Sequence, residues 1–399
     1  MPADPFAATR ALFDLPPGTI YLDGNSLGPA PHAALAALRA AAERDWAGKL
    51  IRGWNEAGWI DLPARAAARI APLVGADPAG LRVCDSTSVN LFKTLSAALA
   101  LRPERRVILS DAGNFPTDLY VAENLARALG RGHVLRTVAP EAVAAALTDD
   151  TAVLMLTEVD YRTGRRHDMA DLTARAHAAG ALALWDLAHS AGAFPVDLAG
   201  AGADFAVGCG YKYLNGGPGA PAFLYLAPQW RDRAEPALAG WFGHADPFAF
   251  DPAWRPAPGI DRMLTGTPPV LSMVALDAAL TVWEGVDLHA LRARSLALTD
   301  RFIAAVEAAC PDLTLITPRE HARRGSQVSF RHPQGYAVMQ ALIARGVIGD
   351  FRAPDILRFG FAPLYVTEAD AEAAAATLAE VLATRAWDRP EHHARAKVT

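Results

Sequence analysis

The sequence predicts an α/β protein, with a mostly parallel sheet covered by helices on both faces and a smaller α+β unit after it. Three observations carry that expectation. From about residue 80 to about residue 230, short apolar runs alternate with stretches whose apolar residues recur at helical spacing, the pattern of successive strand–helix–strand units. At 399 residues the chain is long for one hydrophobic core, which points to two domains. Hydrophobic residues make up 52% and charged residues 20%, the balance of a folded globular chain.

In order along the chain, residues 107–110, 152–157, 181–185, 205–208 and 222–226 read as buried strands. Each is short, apolar and bounded by turn residues. Residues 89–100, 117–129, 141–147 and 168–179 carry helix-spaced apolar positions between them. A long helix over 269–283 closes this unit. The second unit then reads as a helix at 288–309, strands near 313–316, 327–331 and 356–359, and helices near 336–344 and 368–383. After Trp387 the chain is polar, with His392, His393, Arg395 and Lys397, and is expected to fray.

Composition narrows the function. A net charge of −5 gives no electrostatic reason to expect nucleic acid or an anionic membrane. The first fifteen residues lack a continuous apolar run, so no secretory signal is expected. No stretch approaches the ~20 apolar residues that span a bilayer. Cys84, Cys209 and Cys310 are too few and too scattered for a disulfide framework, and no Cys/His metal spacing occurs. A cytoplasmic protein without a structural metal is the expectation.

In a sheet of this kind ligands sit beyond the carboxyl ends of the strands, so polar residues just after a strand matter most. Asp186 follows the run ending at Trp185 and leads into Leu-Ala-His189-Ser190. Lys212 comes 26 residues later, within Gly208-Cys-Gly-Tyr-Lys-Tyr-Leu-Asn-Gly-Gly217. Singly, the first is an ordinary helix cap and the second an ordinary surface charge. Together, in this order and after successive strands, they match what pyridoxal phosphate requires. The lysine amine forms a Schiff base with the aldehyde, and the carboxylate keeps the pyridine nitrogen protonated so that the ring acts as an electron sink.

A phosphate needs donors. Cys84-Asp-Ser-Thr-Ser-Val89 precedes a helix, and Thr87 and Ser88 offer hydroxyls where the helix offers free N–H groups. No GxxxxGK occurs, which excludes a P-loop. Asn114-Phe-Pro-Thr-Asp118 opens the next helix, and Phe115 is placed to lie over a flat ring. Arg358 stands in the β-like run Leu357-Arg-Phe-Gly-Phe361. A buried guanidinium wants a carboxylate, and both a structural ion pair and a ligand carboxylate meet that need.

These segments resemble the fold-type I pyridoxal-phosphate enzymes of the class V aminotransferase group, and within it the kynureninase family. The resemblance runs from about Tyr21 to about Tyr365. It is carried by Tyr21-Leu-Asp-Gly-Asn-Ser-Leu-Gly28, Asp85-Ser-Thr-Ser-Val-Asn90, Asn114-Phe-Pro-Thr-Asp118, Asp186-Leu-Ala-His189, Gly210-Tyr-Lys-Tyr-Leu-Asn-Gly-Gly217, Gly240-Trp-Phe-Gly243, Gly266-Thr-Pro-Pro269 and Arg358-Phe-Gly-Phe-Ala-Pro363. The resemblance implies a large domain with a seven-stranded sheet over residues 46–285 and a small domain over 286–399. An N-terminal segment, 1–45, would join the small domain at the site entrance. It implies Lys212 as the cofactor-bearing lysine, Asp186 as partner of the ring nitrogen, His189 beside the cofactor and Phe115 over it. Thr87, Ser88, Pro116, Thr117, Asp118, Thr157, Tyr211, Trp241 and Thr267 would surround the cofactor, the last two reaching in from the other subunit of a homodimer. Some relatives have Asn at the position of Thr267. Arg358 would take the substrate α-carboxylate, with Asn25, Ser26 and Trp54 on the substrate side; Trp59 is the other aromatic candidate there.

The implied reaction is hydrolytic cleavage of the Cβ–Cγ bond of L-kynurenine, or of 3-hydroxykynurenine, to an anthranilate and L-alanine. Lys212 would remove the Cα proton and Tyr211 relay one. A cysteine desulfurase or an aminotransferase is the rival on the same scaffold, and a binding module without turnover the rival of another class. A desulfurase needs a mobile reactive cysteine, and none of the three stands in such a loop.

Overall fold

The computed structural model describes residues 6–395. After a two-residue strand, β1 (Ile20–Tyr21), come β2 (Leu81–Val83), β3 (Val107–Asp111), β4 (Val134–Val138), β5 (Thr151–Thr157), β6 (Leu182–Asp186), β7 (Phe205–Gly208) and β8 (Phe223–Leu226). The last seven form one sheet in the spatial order β2-β8-β7-β6-β5-β3-β4. From β7 to β4 every pairing is parallel, and β8 runs against both of its neighbours. β5, β6 and β7 are buried at every position. Their side chains therefore show no polar alternation, as expected where helices cover both faces.

Local sequence sets the helix starts. The Thr87–Ala100 helix begins at Ser86, whose Oγ accepts from the Val89 N–H at 3.3 Å. The Pro116–Leu129 helix has proline in its first turn, where its missing N–H costs nothing. The Met169–Ala178 helix is capped by the Asp168 carboxylate, which accepts from the Asp171 N–H at 3.0 Å. These three helices cross from β2 to β3, from β3 to β4 and from β5 to β6.

The C-terminal unit adds β9 (Thr314–Leu315), β10 (Gln327–Arg331), β11 (Val347–Ile348), β12 (Asp350–Arg352) and β13 (Ile356–Gly360). An antiparallel sheet runs β12-β13-β10-β9. The helices Leu288–Ala309 and Glu368–Ala383 pack along each other, burying Leu298, Phe302 and Val306 on one and Ala371, Leu378 and Val381 on the other. Each of the larger side chains contributes about 1.5–3 kcal/mol. β1 pairs in parallel with β11, Ile20 opposite Val347 and Tyr21 opposite Ile348, so the N-terminal segment is stitched to the C-terminal unit. It also meets the lysine loop: the Gly28 N–H donates to the Tyr211 carbonyl at 2.8 Å. A Cβ on Gly28 would lie 2.3 Å from the Lys212 carbonyl oxygen, so only glycine allows this approach.

Several elements differ from the sequence expectation. Residues 141–147 form two 3₁₀ turns, Pro140–Ala142 and Ala144–Ala146, instead of a helix, because so short an alanine run does not repay nucleation. The helix expected over 269–283 is α-helical over Val270–Ala279 and finishes as a 3₁₀ turn, Leu280–Trp283. The expected fraying after Trp387 is corrected in part. Pro390–His393 is helical with His392 buried, and Arg395 lies 5.3 Å from the Tyr336 ring; Lys397 falls outside the described residues. Among the described residues no helix is long and apolar enough to cross a membrane.

Candidate active site

Three strands deliver side chains to one place. Thr157 ends β5, Asp186 ends β6, and Lys212 lies just beyond Gly208 at the end of β7. The start of the Thr87–Ala100 helix faces them. Between these elements is a cleft, the concave kind of place where small-molecule sites form. Thr87, Ser88, Phe115, Thr117, Asp118, Thr157, Asp186, His189, Tyr211 and Lys212 all line it.

Asp186 is buried, and its Oδ1 accepts from the Ala188 N–H at 2.7 Å. Burial raises its carboxyl above the usual range, opposed by the Lys212 ammonium and that N–H. Asp118 beside it is pushed well up, by burial first and then by the charge of Asp186. Of the two buried acids Asp118 therefore keeps the proton, and Asp186 lacks a full counter-charge. A protonated ring nitrogen of a bound cofactor would supply one.

Lys212 Nζ lies 2.9 Å from His189 Nε2, and His189 Nδ1 lies 3.2 Å from Gln327 Oε1. Burial, then the charges of Lys212, Arg358 and Arg352, hold the imidazole far below its ordinary pKa, so it is neutral. Burial pushes the Tyr211 phenol up, which keeps it a proton donor. Phe115 is 41% exposed and meets the Tyr161 ring edge-on at 5.1 Å. It offers a face at the mouth of the cleft, as a stacking residue should.

The turn before the phosphate-side helix is held from beneath. Asp85 has φ +48°, a left-handed conformation that Asp tolerates better than most residues. Its carboxylate accepts from Lys93 Nζ at 2.6 Å and from Thr265 Oγ1 at 2.9 Å. Lys93 is fully buried and also donates to the Met263 carbonyl at 2.6 Å. Thr87 and Ser88 thus start a helix whose first turn is fixed, with free N–H groups and positive dipole toward the cleft. An aldehyde-reactive amine, a carboxylate short of a cation, a hydroxyl-rich helix start and an exposed ring face are together the donor set that pyridoxal phosphate requires. The site fits the group.

Other residues expected from the sequence stand outside the cleft lining. Pro116 serves as the first helical residue. Trp54 packs against Trp59 and Phe242, with ring centroids 5.9 and 6.0 Å away. Trp241 is 38% exposed and clusters with Phe242, Phe248 and Phe250, and Thr267 is exposed. Neither lines the cleft of its own chain.

Arg358 is buried, and its carboxylate partner is internal. Nε donates to Asp350 Oδ1 at 2.7 Å, Nη2 also meets Asp350, Nη1 donates to the Tyr161 carbonyl at 2.6 Å and Nη2 to Ser26 Oγ at 2.7 Å. Arg352 reaches the same carboxylate at 2.7 Å. Burial opposes ionisation of Asp350, but Arg358 and then Arg352 hold it below the usual range. Asn25 is fully buried beside this network, and its side chain has no hydrogen-bond partner among the described residues. Asp23 is pushed up to about 7, by burial and then by the charge of Asp350. A carboxyl raised in the folded state stabilises while protonated and loses that contribution as pH climbs through its folded pKa. The thermal midpoint should therefore fall between about pH 4 and 7 and level off above that, and Asp23→Asn should flatten that part of the profile. A variant as steep as the parent would remove Asp23 as the cause.

The sequence did not single out Tyr161, Gln327 or Asp350. Tyr161 follows the end of β5 and was open to the strand-end rule. Gln327 and Asp350 come from the small domain, and only their tertiary position brings them here.

Comparisons with known proteins identify relatives of this chain. Residues 291–378 match a family model described as the kynureninase C-terminal domain. A protein from Deinococcus radiodurans named kynureninase is 59% identical over 386 residues, covering 95% of this chain and 94% of its own. One of the same name from Pseudomonas fluorescens is 54% identical over 403 residues, covering 99% of this chain and 97% of its own. Among solved structures, an apo cysteine desulfurase from Thermococcus onnurineus NA1 superposes with a TM-score of 0.80 at 19% identity, over 94% of this chain and 98% of that one. That last likeness is one of fold.

Proposed function

The chain belongs to the kynureninase family, and from that premise we infer that it hydrolyses the Cβ–Cγ bond of L-kynurenine, releasing anthranilate and L-alanine. The observation that carries this reading is 54–59% identity to kynureninases over nearly the whole length of both chains. Pyridoxal 5'-phosphate is the cofactor; when bound it supplies an electron sink for the electrons freed at the substrate's Cα and Cβ.

We assign the protein's own contributions as follows. Lys212 Nζ holds the cofactor and, once released, takes the Cα proton. Asp186 keeps the ring nitrogen protonated. Thr87, Ser88 and their helix N-terminus take the phosphate, with Thr117, Asp118 and Thr157 on the cofactor's flank. Phe115 covers the ring. Tyr211, which stays protonated, delivers a proton to the departing fragment. A desulfurase gains no support from the cysteines, since all three are buried. We place a second copy of the chain against the exposed Trp241–Phe248–Phe250 patch, with Trp241 and Thr267 completing the neighbour's site. The pairing of β1 with β11 supports grouping residues 1–45 with the small domain, 286–399, around the large domain, 46–285. The substrate supports a place in tryptophan degradation; we also place the protein in the cytoplasm and include 3-hydroxykynurenine as a second substrate.

Arg358 tests the substrate end. If it contacts the α-carboxylate as well as Asp350, Arg358→Ala should raise KM for kynurenine about tenfold to a hundredfold, the range for one charge-assisted contact. It should also lower stability by about 3–5 kcal/mol, because Asp350 is left buried without its main partner. Destabilisation with an unchanged KM would make Arg358 purely structural. For the reaction itself, purified protein with kynurenine should develop anthranilate fluorescence with one L-alanine formed per anthranilate. A keto acid in place of alanine, or sulfide from cysteine without any anthranilate, would contradict the proposal.

A further inference from the structure

We propose that Gln327, which meets His189 from β10, is a positioning residue that fixes His189 as its Nδ1–H tautomer, so that the Nε2 lone pair faces the Lys212 amine. The inference rests on Lys212 carrying the cofactor, as assigned above, and deepens that reading.

The orientation of one amide comes first. Gln327 is fully enclosed on β10, and its Nε2 donates to the Tyr161 carbonyl at 3.0 Å and approaches the Asp160 carbonyl at 3.5 Å. Both carbonyls only accept, so the amide NH₂ must face them. Flipping the amide would set oxygen against oxygen at the same distances. The Tyr161 carbonyl is itself held in place, because Arg358 Nη1 donates to it at 2.6 Å. Gln327 Oε1 therefore points at His189 Nδ1, 3.2 Å away.

The ring's state follows. Oε1 accepts only, so Nδ1 must carry hydrogen. His189 is buried, and the charges around it are the Lys212 ammonium and the guanidinium groups of Arg358 and Arg352, with the Asp186 carboxylate in the same cleft. Three cations near a buried ring oppose a fourth, so the imidazole is neutral and has a single N–H. That N–H is spent on Gln327. Nε2 is left bare at 2.9 Å from Lys212 Nζ, and Lys212 must be the donor.

The arrangement gives the lysine a direction. An amine that donates one N–H to His189 turns its lone pair away from the ring and is free to use it elsewhere. When Lys212 has taken a proton, Nε2 is an acceptor for that N–H 2.9 Å away. Gln327 touches neither reacting atom; it acts through His189.

The test reads the tautomer directly on cofactor-free protein. Long-range ¹H–¹⁵N spectra of histidine-labelled protein, with the His189 signals identified by their loss in His189→Gln, should show hydrogen on Nδ1 and none on Nε2 between about pH 6 and 8. Gln327→Leu should abolish that preference and shift the pH titration of the lysine-bound cofactor's absorbance. It should also lower kcat about tenfold to a hundredfold, as orienting partners of imidazole ligands do in metal sites, with KM within about threefold. A ring with hydrogen on Nε2 in the unmodified protein overturns the inference, and so does an unaltered tautomer in Gln327→Leu. If the leucine variant does not fold, the spectrum of the unmodified protein decides alone. Either contrary result leaves kynurenine hydrolysis standing, because the anthranilate assay is independent of it.

Discussion

Lys212→Ala is expected to lose both kynurenine turnover and the absorbance of the lysine-bound cofactor. The chain contains only four lysines, at positions 49, 93, 212 and 397. Lys49 sits on the surface paired with Asp45 at 2.6 Å. Lys93 is fully buried and committed to Asp85 and the Met263 carbonyl. Lys397 lies outside the described residues, in the polar tail. Among the described residues no other lysine lines the cleft, so neither Lys49 nor Lys93 can stand in. Loss of the proton acceptor alone costs about 10²–10⁴-fold in rate, and loss of the covalent hold adds to it. Absorbance and steady-state turnover on the purified variant check both effects. A variant that keeps turnover would remove Lys212 from the mechanism.

The second large effect is expected at Asp186. Asparagine there keeps an oxygen for the Ala188 N–H but removes the charge that holds the ring nitrogen's proton. The side chain is fixed before any ligand arrives, being buried and hydrogen-bonded at 2.7 Å, so its field needs no reorganisation during the reaction. Removing one such preorganised contact costs on the order of 10²–10³ in kcat. Asp186→Asn should show that loss while still binding cofactor through Lys212 and the phosphate side. Asp118 does not take over, because burial, the largest cause of its raised carboxyl, persists in the variant. A kcat within about threefold of the parent would mean that the ring nitrogen finds its counter-charge elsewhere.

The parts of the fold legible in the sequence are those where one physical signal acts alone. β5, β6, β7 and β8 are short apolar runs bounded by turn residues, and their burial on both faces leaves no competing pattern. The rule that ligands gather at the carboxyl ends of strands is enough to pick out Asp186 and Lys212 in the amino-acid sequence. β4 escaped because it is an edge strand, with Val134, Arg136 and Thr137 exposed, and its polar positions read as loop. β1 and β11 escaped because two residues each carry no period at all; only their pairing defines them. At the site, Phe115, Thr87 and Ser88 were legible from their place at helix starts. Asp350 was not. Its meaning is its pairing with Arg358, across the β12–β13 register that sets these two residues opposite each other. A buried arginine in need of a carboxylate is visible in the sequence; that the chain itself supplies the carboxylate is not. Gln327 is silent for the same reason: it acts through a histidine and a carbonyl 138 and 166 residues away.

Reduction of the cofactor-loaded protein with borohydride, followed by peptide mapping, tests the covalent assignment most directly. One pyridoxyl group should be found, on the peptide containing Gly210-Tyr-Lys212-Tyr-Leu. An adduct on Lys49 or Lys93, or none on Lys212, would contradict the account at its root.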